Sequence, residues 1–136
     1  MQDLLTVLLV AFIFVLSGCS GKTPETSASF VQPLPTVPAD YAEKTIPPNA
    51  DATAGANLFN TDCVTCHGED GRGDGPAAQT LDPRPANLVD LGKISTNDFL
   101  FWKISAGADG TAMPAWKSIL TDQQIWDVVA FIRTLK

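Results

Sequence analysis

Near the C-terminus of the chain, apolar residues recur at helical spacing, at Ile125, Val128, Val129 and Ile132. This i, i+3, i+4, i+7 spacing indicates one buried face of an α-helix. Thr121 and Gln124 stand in the T-x-x-Q order of a capping box, which marks the start of a helix. The sequence therefore predicts an amphipathic helix that begins just after Thr121.

Two earlier segments also have helical patterns. Residues 52–61 are rich in alanine, which favours helix, and they run directly into Cys63. Residues 96–106 carry apolar side chains at helical spacing, and Gly107 is positioned to end that helix. Loops rich in glycine and proline separate the segments, and no stretch alternates apolar and polar residues with a period of two. An all-α fold is therefore predicted.

The start of the chain is a different kind of segment. Residues 4–16 are apolar except for Thr6. As a helix they would rise only about 20 Å, against a hydrocarbon core of roughly 30 Å. This length is typical of the apolar part of a signal peptide rather than of a membrane span.

The apolar run is followed by Leu16-Ser17-Gly18-Cys19, which resembles the lipobox of bacterial lipoproteins. The resemblance implies that the Cys19 thiol takes a diacylglycerol and that Cys19 becomes the mature N-terminus. We therefore expect residues 1–18 to be a lipoprotein signal peptide and the protein to be exported. It would be lipid-anchored to a bacterial membrane, with its folded domain on the periplasmic or extracytoplasmic side. No lysine or arginine precedes the apolar run, so a short uncleaved anchor or a coincidental apolar tail are the alternatives.

Residues 19–50 are rich in proline, and six of the ten prolines of the chain fall here. Proline removes the backbone donor and fixes φ, which favours extended polyproline II over helix or sheet. We expect a lipid-anchored linker over residues 19–50, followed by a folded domain over residues 51–136. The alternative is that apolar side chains of the linker lie along the folded domain or a partner subunit, namely Phe30, Val31, Leu34 and Tyr41.

Length and charge narrow the class of protein. A chain of 136 residues is of the size of one domain. With 15 acidic and 9 basic residues the formal net charge is −6, which disfavours binding to the phosphates of nucleic acid. A partner is expected to offer a basic or an apolar face.

The chemistry of the chain centres on Cys63-Val64-Thr65-Cys66-His67, a C-x-x-C-H motif. This is the attachment signature of c-type haem, in which two thiols bind the vinyl groups and the histidine binds iron. A structural zinc site would need a fourth ligand, and the only other cysteine or histidine of the chain is Cys19 of the lipobox-like segment. A thioredoxin-like disulfide would need strands around the motif. Haem c is the predicted cofactor, with a chance occurrence of the five letters as the remaining alternative.

The single histidine of the chain determines the second axial ligand. If His67 binds the iron, methionine is the next usual ligand, and the chain has only Met1 and Met113. Met1 belongs to the signal segment, so Met113 is the predicted ligand by elimination, against the alternative of a packed core methionine. A thioether favours ferrous iron, which predicts a positive reduction potential. With both axial positions filled there is no place for a substrate, and one-electron transfer is the expected chemistry.

The order of helix, C-x-x-C-H, loop, helix, methionine loop and C-terminal helix resembles a class I cytochrome c of the small bacterial type. The resemblance covers residues 51–136 and implies three to five helices wrapped around one covalently attached haem c. Gly55 and Phe59 stand eight and four residues before Cys63, as the family's glycine and aromatic residue do where the first and last helices cross. Phe59 is then expected to pack on Phe131, with Trp126 as the alternative.

The same resemblance suggests further residues of the haem site. Pro76 stands nine residues after His67, where the family places the proline whose carbonyl accepts the Nδ1 proton of the histidine. Arg84, Trp102 and Trp116 are donors that we expect to meet the haem propionates.

A lipid-anchored single-haem cytochrome with a proline-rich linker resembles the mono-haem lipoprotein subunit of alternative complex III, a quinol-oxidising respiratory assembly. The resemblance implies an electron carrier without a substrate site of its own, which passes electrons toward a terminal oxidase through the exposed haem edge. A free membrane-tethered shuttle is the alternative within the same chemistry. A haem-based gas sensor with a labile Met113 is the alternative of another class.

Overall fold

The computed structural model describes residues 33–136. Residues 1–32, with the predicted signal peptide and Cys19, lie outside the described residues. The described part is helical and contains no strand, as the class I cytochrome c fold requires. Its five helices are α1 (Ala52–Asp62), α2 (Val64–His67), α3 (Leu88–Ile94), α4 (Asn97–Ala106) and α5 (Asp122–Ile132), with 3₁₀ turns at Ala78–Thr80 and Trp116–Ser118. Within residues 33–136, none of the helices has the length and apolar character needed to span a bilayer.

The three helices predicted from the sequence are confirmed, and their ends have local causes. The Asp51 carboxylate accepts hydrogen bonds from two backbone N–H groups of the first turn of α1. Thr121 and Gln124 form the full capping box at the start of α5. Gly107 ends α4 with φ of 78°, a left-handed conformation that glycine adopts without strain.

Two short helices were not predicted. α2 is the four-residue turn of the C-x-x-C-H motif itself. α3 has seven residues, and Asn87 caps it by accepting a hydrogen bond from the Asp90 N–H at 3.2 Å. At its other end the Arg133 guanidinium donates to the carbonyl oxygens of Gly92 and Ser95. Because these bonds come from a residue 38 to 41 positions away, the local sequence does not reveal α3.

The centre of the fold is the crossing of α1 and α5, where Gly55 faces α5. A Cβ atom on Gly55 would lie 1.9 Å from the carbonyl oxygen of Asp127, so only glycine permits this approach. One turn later Phe59 is fully buried, and its ring centre lies 5.1 Å from that of Phe131. The predicted Phe59–Phe131 contact is therefore confirmed, while Trp126 stacks on Phe101 with ring centres 4.3 Å apart.

Residues 33–50 differ from the linker that the proline content predicts. Residues 33–38 have no regular secondary structure, but the apolar side chains of the segment pack against the core, namely Leu34, Val37, Tyr41, Ile46 and Ala50. Tyr41 lies 6.2 Å from Phe101, and the Glu43 N–H donates to the Asp98 carboxylate at 2.8 Å. The compact unit thus begins at Pro33 rather than at residue 51. This agrees with the alternative interpretation for Leu34 and Tyr41; Phe30 and Val31 lie outside the described residues.

Candidate functional site

A cavity of about 350 Å³ lies between the helices of the domain. Its wall is mostly apolar, with residues such as Phe59, Leu88, Phe99, Leu100 and Ile132. Six of the residues predicted for the haem site line this cavity, namely Cys63, Cys66, His67, Arg84, Met113 and Trp116. The cavity therefore brings together the residues of the motif, the methionine loop and the loop that precedes α3.

The C-x-x-C-H motif reaches the cavity because it forms one helical turn. Cys63 follows the last residue of α1, and its carbonyl oxygen accepts hydrogen bonds from the N–H groups of Cys66 and His67 at 3.1 and 2.9 Å. Residues three and four apart share one face of a helix. The two thiols and the imidazole therefore line the same wall.

The His67 ring is fixed by a backbone carbonyl. Its Nδ1 lies 3.1 Å from the Ala86 oxygen, which makes Nδ1 the protonated nitrogen and leaves Nε2 as the nitrogen available to a metal. Burial lowers the pKa of His67 below its usual value, and the hydrogen bond to Ala86 opposes this shift. The histidine is therefore held as the neutral imidazole, the form that binds iron.

Pro76 does not have the role that the resemblance implied. The acceptor for His67 Nδ1 is the carbonyl of Ala86, and Pro76 is not part of the cavity wall. The segment around Pro76 instead returns to α2, where the N–H groups of Gly75 and Ala77 donate to the Cys66 and Thr65 carbonyls at 3.2 and 3.0 Å. The carbonyl that accepts from His67 belongs to Ala86, ten residues after Pro76.

The two cysteines are unpaired and half-buried. Burial raises the pKa of Cys63 to about 12, and the nearby charges of Asp62 and Cys66 add to the shift. Reactive dithiols have lowered thiol pKa values because the thiolate is the attacking species. The environment of Cys63 is thus unlike that of a redox disulfide and suits a thiol that is bound covalently to carbon.

Met113 lies in a loop whose hydrogen bonds hold its backbone in place. The Met113 N–H donates to the Thr111 hydroxyl at 3.1 Å, and the Met113 carbonyl accepts from the Ala108 N–H at 3.2 Å. A Cβ atom on Gly107 would lie 2.8 Å from the Met113 carbonyl oxygen, so the loop also packs closely on the end of α4. The half-buried thioether is therefore presented to the cavity from a fixed backbone.

Trp102 is not part of the cavity wall, and its expected contact with a haem propionate stays a prediction. Trp102 packs edge-on against Phe99, with ring centres 5.8 Å apart, and its face carries the Lys103 ammonium at 4.1 Å. Lys103 lines the cavity in its place. Neither Lys103 nor the Ala86 carbonyl is predicted from the sequence. A basic residue between Trp102 and Ile104 was the available signal for Lys103, whereas a backbone carbonyl has no sequence signal.

The residues of this site fit haem c. The two thiols lie beside the His67 imidazole, whose Nδ1 is bonded to Ala86 and whose Nε2 is therefore left for iron. Met113 lines the same cavity. The rest of the wall is mostly apolar, and its cationic residues are Arg84 and Lys103. The helical fold and the site thus define a mono-haem c-type cytochrome. Residues 52–136 match the model of the cytochrome c family, and the chain belongs to that family. It is an electron carrier, and its one C-x-x-C-H motif binds one haem c.

Similar proteins come from several kinds of electron-transfer system. Cytochrome c6 of Leptolyngbya boryana is 34% identical over 83 residues, which are 61% of this chain and 91% of that protein. The cytochrome c subunit of the quinone alcohol dehydrogenase of Gluconacetobacter polyoxogenes is 28% identical over 120 residues, which are 79% of this chain but only 26% of that subunit. Our chain thus spans about a quarter of the length of that relative.

Among solved structures, a chain of the reducing HAO-like protein complex of Kuenenia stuttgartiensis superposes with a TM-score of 0.59 at 26% identity. The match covers 78% of this chain and 52% of that chain. This match covers more of our chain than the match with cytochrome c6 of Leptolyngbya boryana, which covers 61%.

Proposed function

We propose that the protein carries single electrons with His67 and Met113 as the two axial ligands of its haem. One observation carries the proposal: the only histidine of the chain and the only methionine of the folded domain line the same cavity. The bound haem c supplies the exchange of one electron between ferric and ferrous iron.

In this mechanism the protein's own residues keep the site rigid and dry. Ala86 fixes the tautomer and orientation of His67, and the hydrogen bonds of the loop fix the backbone of Met113. The apolar wall excludes water, so little reorganisation accompanies electron transfer. If His67 and Met113 both hold the iron, as proposed, no coordination position would remain for a substrate.

The test is the reaction of the ferrous protein with carbon monoxide at neutral pH without denaturant. We expect no spectral change in the native protein and full CO binding in Met113→Ala, in which the second axial position is open. Asp109→Ala, in an exposed position of the same loop, is the matched control and is expected to behave as the native protein. CO binding by the native protein would overturn the proposal and favour a gas sensor.

For the cellular setting, we propose the mono-haem subunit of a membrane quinol-oxidising complex, which passes electrons toward a terminal oxidase. It would be anchored through a lipid on Cys19, with its haem domain on the extracytoplasmic side. The lipobox-like residues 16–19 support this anchor, and the similarity to a cytochrome c subunit of a quinone-linked enzyme supports membership of a complex. A free membrane-tethered shuttle is the competing proposal.

Purification from native membranes in mild detergent separates the two settings. We expect the tagged protein to remain with a stable set of larger subunits, and Cys19→Ser to leave the membrane fraction when those subunits are absent. Recovery of the lipidated protein alone would favour the free shuttle. Membrane release that does not depend on Cys19 would contradict the lipid anchor.

A further inference from the structure

Lys103 is a cation in the wall of the haem cavity without an acidic partner. It belongs to the last turn of α4, next to the methionine loop. Within residues 33–136, the one ion pair closer than 4.0 Å joins Lys93 and Asp90 on the exposed side of α3. Asp98 in the first turn of α4 accepts hydrogen bonds from the N–H groups of Glu43 and Phe99 instead. The positive charge of Lys103 thus has no counter-ion from the described part of the protein.

Aromatic rings hold the Lys103 side chain in place. Its ammonium nitrogen lies 4.1 Å from the ring centre of Trp102 and 6.0 Å from that of Phe99. These two rings meet edge to face at 84°, so they form one rigid surface. Cation–π contacts of this kind are attractive and restrict the rotamers of the lysine side chain. The side chain of Lys103, which lines the cavity, is therefore held against these rings.

The group that enters this cavity carries two carboxylates, the propionate side chains of haem c. An anion at an apolar wall needs a nearby cation or donor, because burial of an unpaired charge is costly. We propose that Lys103 pairs with a haem propionate and that, by doing so, it raises the reduction potential of the iron. Trp102, whose indole does not reach the cavity, positions Lys103 from behind. The inference rests on the haem site alone and not on membership of a membrane complex.

The sign of the effect follows from electrostatics. Ferric haem carries one more positive charge than ferrous haem, so a fixed cation nearby disfavours the ferric state. A propionate that has lost its cationic partner favours the ferric state, because its negative charge is no longer balanced. Both contributions lower the potential when the lysine charge is removed. The effect is stronger at a poorly hydrated wall than at the surface, where water and salt screen the charge.

The experiment is a spectroelectrochemical titration of the holoprotein with three variants. In Lys103→Gln we expect the equilibrium constant for reduction to fall about tenfold, which for a one-electron couple is a drop of about 59 mV in midpoint potential. Lys103→Arg keeps the charge and is expected to stay within about twofold of the native protein. Lys93→Gln removes an exposed lysine outside the cavity wall and is expected to change the constant less than about twofold.

A Lys103→Gln holoprotein with an unchanged potential would overturn the proposal, as would an equal drop in Lys93→Gln. If Lys103→Gln yields no holoprotein, the redox-difference infrared spectra of the native protein and Lys103→Arg decide the question. With ¹³C-labelled propionates, the carboxylate bands are expected to shift between these two proteins because the paired donor differs. Identical carboxylate bands would then overturn the proposal.

Discussion

At the scale of single residues, the crossing of α1 and α5 depends on the absence of one side chain. Gly55 lets the backbone of α1 pass directly over the Asp127 carbonyl of α5. The two helices that cross here carry Phe59 and Ile132, both of which line the haem cavity. The distance between α1 and α5 therefore sets the shape of the cavity as well as the stability of the fold.

We expect Gly55→Ala to lower the free energy of unfolding of the holoprotein by about 2–3 kcal/mol, because a Cβ atom there must push two helix backbones apart. Gly92→Ala is the matched control. It lies in α3 with a negative φ, and the nearest atom to its new Cβ would be 4.0 Å away. The control should be neutral or gain up to about 1 kcal/mol from helix propensity. Denaturant unfolding followed by circular dichroism measures both, and equal effects would contradict the role of Gly55.

The residue scale also shows which parts of the site the sequence could predict. Cys63, Cys66, His67 and Met113 were predicted because their chemistry belongs to their side chains and spacing. The carbonyl that accepts from His67 was predicted at Pro76 and is found at Ala86. Every residue has a backbone carbonyl, so only the folded path of the chain determines which carbonyl lies next to His67. Trp102 and Lys103 are neighbours in the sequence, and the turn of α4 decides which of them faces the cavity.

At the scale of elements, α5 depends on its cap. The Thr121 side chain accepts from the Gln124 N–H, and the Gln124 side chain accepts from the Thr121 N–H. We expect Thr121→Ala to destabilise the holoprotein by about 1 kcal/mol. Thr53→Ala, an exposed threonine in the first turn of α1, should change the unfolding free energy by less than about 0.5 kcal/mol. Thermal or urea unfolding tests this, and a Thr53→Ala effect as large as that of Thr121→Ala would contradict it.

Tyr41 is one of the residues that hold the segment of residues 33–50 on the domain. Its ring packs against Phe101, and the Lys117 ammonium lies 5.8 Å from the ring centre. We expect Tyr41→Ala to cost about 1–2 kcal/mol and to expose this segment to limited proteolysis while the haem domain stays intact. Asp40→Ala, at the exposed neighbouring position, should leave the cleavage rate unchanged. Equal cleavage in both variants would show that Tyr41 does not hold the segment.

The elements divide clearly into those that the sequence could predict and those that it could not. α1, α4 and α5 have their own caps and apolar spacing, so local patterns identify them. α3 has a local cap at Asn87, but the carbonyls at its C-terminal end accept hydrogen bonds from Arg133 in a distant part of the chain. The proline-rich segment has no regular structure that would reveal its packing, and its contacts with α4 arise only in the folded chain.

At the scale of the whole molecule, the haem cavity adjoins the packed core of the domain, and Phe59, Leu100 and Ile132 belong to both. Its walls are formed by side chains from the helices and loops of the whole domain, including those of α1, α4 and α5. Most of this wall is apolar, so without haem these side chains would be exposed to water, which is unfavourable. The bound haem must therefore act as part of the core.

We accordingly expect the double variant Cys63→Ala/Cys66→Ala, which cannot attach haem, to lose cooperative folding. Circular dichroism should show a large loss of helix, and urea should give no sigmoidal transition, because the remaining contacts do not compensate for an unfilled centre. Met113→Ala is the control, since both thioether bonds remain and the haem stays in place; it should keep its helix content and a cooperative transition. A double variant with native helix content and a cooperative transition would show instead that the polypeptide alone specifies the fold and that the haem only occupies a finished site.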